Sequence, residues 1–142
     1  GHEVSVAEYT FPDPVPLLRE RLLEVTSLTA LVSTRILSRT GDPLPSRPFV
    51  RLDLIGGSFE DPRYMRSHRF QIHVFHDHES APAAVTAAQA AIAGLTATRA
   101  WEGATGLIVG TTLESDISIF YDTTHVPPLV DVTFSVQVSV RR

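Results

Sequence analysis

The sequence predicts an α+β fold, in which an antiparallel sheet of four to five strands carries two main helices on one face. The closing segment supports this most strongly. Val130, Val132, Phe134, Val136, Val138 and Val140 alternate with Asp131, Thr133, Ser135, Gln137 and Ser139, the period of a strand buried on one side. Its opposite face is polar and mostly uncharged, as in antiparallel sheets covered by helices on one side only. Two stretches of helical periodicity supply the covering layer. At 142 residues, 43% apolar and 20% charged, one core is the expected organisation. The reading is an extended N-terminal arm over residues 1–13 and a single domain over 14–142.

Each element has its own signal. Asp13 and Pro14 read as an N-cap and a first-turn proline, followed by Val15, Leu18, Leu22 and Val25 at helical spacing, which predicts an amphipathic helix of about three turns. Ser27–Val32 predicts a further helical turn and Arg35–Ser38 a short strand. The connector "RTGDPLPSRP" is too punctuated by proline for regular structure. From Phe49 the period becomes two, with Val50, Leu52 and Leu54 on one face and Arg51, Asp53 and Ile55 on the other. A partner strand, "HRFQIHVFH", predicts a long hairpin around a loop over Gly56–Ser67, and loops of that length are commonly functional. Ser80 is placed to cap a helix reaching about Thr98, with Val85, Ala88, Ile92 and Leu95 as its larger apolar stripe and alanines permitting close approach to a sheet. Residues 104–124 predict a long strand with a bulge near Gly110 or Glu114, and "HVPP" ends it. The order is helix, hairpin, helix, hairpin.

Composition removes several chemistries. The chain has no cysteine, lysine or asparagine, and all twelve basic residues are arginine. Disulfides, zinc fingers, thiol nucleophiles, Schiff bases and the lysine of a phosphate-binding loop are therefore excluded. A net charge of −4 argues against general nucleic-acid binding. No apolar run approaches the roughly 18 to 20 residues of a membrane span. The first residues lack a signal peptide's basic start and apolar stretch, and Gly1 is what removal of an initiator methionine would leave.

Histidine is the one concentrated chemistry. "QIHVFHDHES" holds three of the six histidines, but a zinc site needs three or four ligands converging on one point. On a strand, His73 faces away from His76, while His76 and His78 share a side and Asp77 turns away. At most a two-histidine half-site results, with His125 or Asp122 as distant partners. The plainer reading is a strand end, with Asp77 and Glu79 favoured by the dipole of the following helix. "GGSFE" lacks the second glycine of a nucleophile elbow, and no H-E-x-x-H helix occurs. These features predict no enzyme. Arg63, Arg66 and Arg69, flanked by Phe59 and Tyr64, form a second cluster, but Glu60 and Asp61 offset their charge, so pairing across the loop or with a neighbouring subunit is expected rather than phosphate binding. Trp101 could anchor an interface or cap the core.

The order of segments resembles the tail terminator, or tail-completion, proteins of long-tailed bacteriophages. The likeness runs from Pro14 to the C-terminus, through "PLLRERLLEV…SLTALVSTRIL", "GDPLPSRPFVRLDL", "SHRFQIHVFHDHESAPAAVTAAQAAIAGL" and the closing pair "GLIVGTTLESDISIFYD" and "VDVTFSVQVSV". The arm before Pro14 and the histidine-rich strand end have no counterpart in that pattern. The resemblance implies a structural virion protein of the tail or neck, assembled in the host cytoplasm as a homohexameric ring on the last ring of the tail tube. Such a ring stops tube polymerisation and docks the head-completion proteins, with DNA passing through its lumen without sequence-specific binding. It implies no cofactor and no membrane. A head-tail connector of the same neck is the nearest alternative, and a small metal-dependent enzyme using His76 and His78 the more remote one. Within this reading Phe59, Glu60, Asp61, Arg63, Tyr64 and Arg66 are candidate contacts to an adjacent subunit or the tube, as is the N-terminal arm.

Overall fold

A computed structural model describes residues 12–38, 45–61, 65–97 and 100–142, with 58–61 described for their backbone only. The elements in chain order are α1 (Pro14–Leu22), α2 (Thr26–Val32), β1 (Ile36–Leu37), β2 (Phe49–Asp61), β3 (Met65–Asp77), a 3-10 turn (His78–Ser80), α3 (Ala81–Ala97), β4 (Trp101–Glu102), β5 (Leu107–Asp122) and β6 (Leu129–Arg141). Among the described residues six strands form one sheet in the order β1-β2-β3-β6-β5-β4. The two expected hairpins are β2-β3 and β5-β6, joined through β3 and β6 at the centre.

The sheet corrects the sequence reading twice. It has six strands rather than four to five, and it is mixed because β1 runs parallel to β2, with Ile36 opposite Val50 and Leu37 opposite Arg51. Both extra strands are two residues long, too short to establish a period. The parallel pair follows from connectivity: residues 38–48 separate β1 from β2, and a parallel neighbour needs such a crossover rather than a tight turn. The covering layer holds three helices rather than two, because the turn expected at Ser27–Val32 closes as α2.

α1 begins as its sequence dictates, with the Asp13 carboxylate accepting from Val15 N at 3.0 Å and Pro14 in the first turn. It stops at Leu22, so Val25 lies outside it as the extended residue before α2. In α3 the fully buried stripe is Ala84, Ala87, Ala88, Ala91 and Leu95, while Val85 and Ile92 stand at its border. Alanine wins the buried positions because the helix lies close to its neighbours. At Gly94 an added Cβ would come within 2.7 Å of Val25 Cγ2. Ser80, expected as the cap of this helix, ends the 3-10 turn instead.

The main core lies between the helices and one face of the sheet, where Leu17, Leu18, Leu22, Leu28, Phe70, Ile72, Val132, Phe134 and Val136 are fully buried. Each such side chain contributes about 1.5–3 kcal/mol from burial. Trp101 packs on this core and donates its indole N–H to Glu24. Among the described residues no helix is long and apolar enough to cross a membrane.

A further correction concerns the suspected loop. Most of Gly56–Ser67 is strand: β2 continues to Asp61 and β3 begins at Met65, with Gly56 opposite Arg69 and Asp61 opposite Met65. Shifts at Leu54/Gly56 and Phe59/Asp61 are bulges, which let a strand containing two glycines keep pairing while it bends. In β5 the register shifts fall between Ile108 and Gly110, Leu113 and Ser115, and Ser115 and Ser118, at and beyond the predicted positions.

Candidate functional site

Directly opposite residues of an antiparallel pair share a face. The registers therefore place Arg51, His73 and Thr133 together on the face turned away from the helices, with Phe49, Phe75 and Asp131 one pair along. At this end of the open face a polar network grows around His73, which is only 7% exposed. His73 Nδ1 lies 3.0 Å from both Asp131 carboxylate oxygens and from Thr133 Oγ1, and the Thr133 hydroxyl donates to Asp131 Oδ1 at 2.7 Å. On the other side of the ring, Nε2 is 3.1 Å from Asp53 Oδ2 but out of line for a hydrogen bond. Arg51 completes the network through Asp53 Oδ2, 3.1 Å from Nη2.

The network rests on an apolar floor. Phe49, Phe75 and Leu129 form a second buried cluster separate from the main core. Phe75 stacks on Phe49 with ring centroids 4.9 Å apart and on His73 at 5.6 Å, and the Arg51 guanidinium lies 5.2 Å from its ring centre. A cavity of about 320 Å³ opens over this floor, with Asp122, His125 and Asp131 also lining it. Hydrogen bonds from the Thr124 hydroxyl and backbone N–H hold the Asp122 carboxyl below the usual carboxylate range, and His125, 3.1 Å away, acts in the same direction.

This arrangement orders the sheet end rather than presenting a nucleophile. Thr133 is 5% exposed and its proton is committed to Asp131, so it is not placed to attack a molecule in the cavity. His76 and His78 do not form a joint site with His73. β3 ends at Asp77, leaving His76 on the strand with Nδ1 accepting from Asp77 N at 2.8 Å, while His78 sits in the 3-10 turn against Tyr121 at 4.7 Å. Asp77 pairs with Arg47 at 3.0 Å. Among the described residues no group of three or more His, Asp or Glu side chains is arranged to hold a metal ion. Asp122 and His125 meet each other, not His76 or His78.

The arginine cluster also divides. Arg66 pairs with Val140 on the helix-covered face, whereas Arg69 lies opposite Gln137 on the open face and bonds Glu114 Oε2 at 2.7 Å. Phe59, Glu60 and Asp61 lie at the end of β2; Arg63 and Tyr64 fall outside the described residues, as do residues 1–11 of the arm. The sequence reading missed the His73 network. Its only signal was that Arg51, Asp53, His73, Asp131 and Thr133 all occupy the non-core phase of three strands, and period two alone cannot reveal that β3 stands between β2 and β6.

The sheet also has two open margins. β4 pairs with β5 only at Leu107 and Ile108, and β1 pairs with β2 only at Val50 and Arg51. Among the described residues, the rest of the outer edges of β5 and β2 has no strand beside it. Among the described residues, five of the six large apolar side chains that stand exposed lie there: Leu54, Ile55, Ile119, Phe120 and Tyr121.

No family model and no curated protein matches this chain. A solved structure does. A chain in the virion of the native gene transfer agent (GTA) particle superposes with a TM-score of 0.66 over 88% of this chain and 92% of that one, at 18% identity. The two share a fold. The match takes in most of both chains.

Proposed function

We propose that this protein is a structural component of a virion, without enzymatic activity, and that it forms a ring at the head-proximal end of a phage tail tube. There it ends tube polymerisation and presents the docking surface for the neck, with DNA passing through the lumen. The observation that carries the reading is the near end-to-end match with a chain of a virion particle. The segment order that resembles tail terminators supports the narrower assignment.

The physical chemistry is compatible with this role. The open face along β6 presents Ser135 and Gln137, half-exposed and uncharged, and a net charge of −4 keeps a conduit from gripping phosphates during passage. Phe59, Glu60 and Asp61 end β2 and Arg66 lies at the start of β3, with Arg63 and Tyr64 between them in sequence. These residues are candidate contacts to the tube or an adjacent subunit, and the N-terminal arm is a second candidate. Replacing Arg63 with glutamate is expected to weaken assembly on tail tubes while far-ultraviolet circular dichroism stays unchanged; full incorporation of the variant would remove Arg63 from the interface.

The reading is tested by mixing purified protein with polymerising tail tube protein and measuring tube length by electron microscopy. Tubes capped by a ring of this protein, and shorter with increasing dose, are expected. Tubes of unaltered length with no bound protein would contradict it. A protein that instead binds only the finished tail and the head would be the neck connector.

A further inference from the structure

We infer that the free edge of β5 in one copy pairs with the free edge of β2 in the next, so that the ring is closed by a continuous intersubunit sheet. This rests on the ring reading above and names the surface that would make it.

The first argument is direction. β2 is antiparallel to β3, β3 to β6, and β6 to β5, so β5 and β2 run in opposite senses on opposite margins of one sheet. A second copy placed beside the first by a rotation brings the two edges together antiparallel, continuing the pattern of the four long strands. The two edges are different surfaces, so the contact is head-to-tail, the kind that generates a ring when the rotation closes.

The second argument is chemistry. An unpaired strand presents a row of free N–H and C=O groups, and soluble proteins usually protect such an edge with lysine, proline or a cover. Gly110–Asp122 contains neither lysine nor proline, and neither does Leu52–Asp61. Each stretch carries apolar side chains in the open instead. Phe120 is 58% exposed, Tyr121 55%, Ile119 44%, and Leu54 and Ile55 48% each. Leu54 lies opposite Phe70, and Ile119 and Tyr121 opposite Val132 and Val130. All three therefore extend the helix-side core to its two margins, and joining the margins makes that core continuous across the interface.

The charges on the edges oppose this contact weakly. Glu114 is paired with Arg69, but Asp116 is exposed on β5 and Glu60 and Asp61 lie on β2. Backbone hydrogen bonds and apolar burial must outweigh that repulsion, so association should strengthen as salt screens it. Closure also removes the edges themselves, the general solution for antiparallel sheets.

Cysteine cross-linking is a clean test because the chain has none of its own. Leu54→Cys and Tyr121→Cys would be purified separately, mixed, and treated with a short bismaleimide alongside each variant alone, with light scattering on wild type in parallel. The inference expects several-fold more cross-linked dimer from the mixture than from either variant, and a ladder of multimers from the doubly substituted chain. Equal or greater linking in one variant alone would mean a two-fold contact and overturn it. Assembly seen by light scattering without Leu54–Tyr121 linking, repeated with the pair Ile55→Cys and Phe120→Cys, would overturn the edge contact while leaving the ring intact. A monomer without linking at every concentration would overturn self-pairing, and tube capping would then judge the ring reading separately.

Discussion

β5 and β6 form one hairpin with nearly matched lengths, yet one is buried and the other is not. Along β6 the valines of one face and Phe134 are fully covered, whereas Ile119, Phe120 and Tyr121 of β5 stand largely in solvent. The difference is position. β6 lies between β3 and β5 under the helices, and among the described residues β5 has a strand on its outer side only at Leu107 and Ile108. Apolar residues on a central strand build the fold; the same residues on an open margin contribute little to it and are available to a partner.

Substitution of paired phenylalanines would break or sharpen that contrast most strongly. Phe134→Ala should destabilise the monomer by about 3–5 kcal/mol, the range for deleting a buried aromatic side chain, read from urea denaturation midpoints. Phe120→Ala should change monomer stability by no more than about 0.5 kcal/mol, as for surface substitutions, while lowering the assembled fraction in sedimentation. Similar destabilisation by both would show that β5 is part of the folding core.

A smaller effect is expected on the open face. Asp131→Ala removes the acceptor shared by His73 and Thr133 and should cost about 1–3 kcal/mol, the penalty for leaving buried polar groups unsatisfied. Helix entry gives the next measure: Asp13→Ala should cost about 1 kcal/mol through loss of the α1 cap, seen as a lower thermal midpoint with assembly unaffected.

The smallest expected effect is a pH dependence located on β3. Burial lowers the pKa of His68 and of His76 below the ordinary 6.5, helped at His68 by Arg66 against Asp13, and opposed at His76 by Asp77 while Arg47 assists. Between the folded and unfolded values the unfolded chain binds more protons, so stability falls as pH drops below about 6.5 and is fully present above it. Urea midpoints at pH 7.5 and 5.5 should differ in that direction, and less so in a variant carrying His68→Gln and His76→Gln.

The sequence made the long elements legible because each has a period and a terminus. The strict alternation of Val130–Val140, the Asp13-Pro14 start and the bulge signals near Gly110 and Glu114 act locally. What it concealed depends on neighbours. Ile36–Leu37 and Trp101–Glu102 become strands only because a long strand runs beside them. The buried stripe of α3 goes to its alanines because close packing favours small side chains over Val85 and Ile92. Gly56 and Gly57 read as loop but sit in a bulged hairpin. The proximity of Arg51, Asp53, His73 and Asp131 was invisible for the same reason, since strand order brings them together. Arg63 and Tyr64 are candidate contacts that the assembly assay tests.

The most direct test of the central claim is the solution mass of the purified protein by light scattering, alone and with tail tube protein, followed by electron-microscope class averages of any large species. The account predicts a closed ring of several copies, formed alone or on the tube end. A protein that stays monomeric in both conditions and leaves tube ends bare would contradict it.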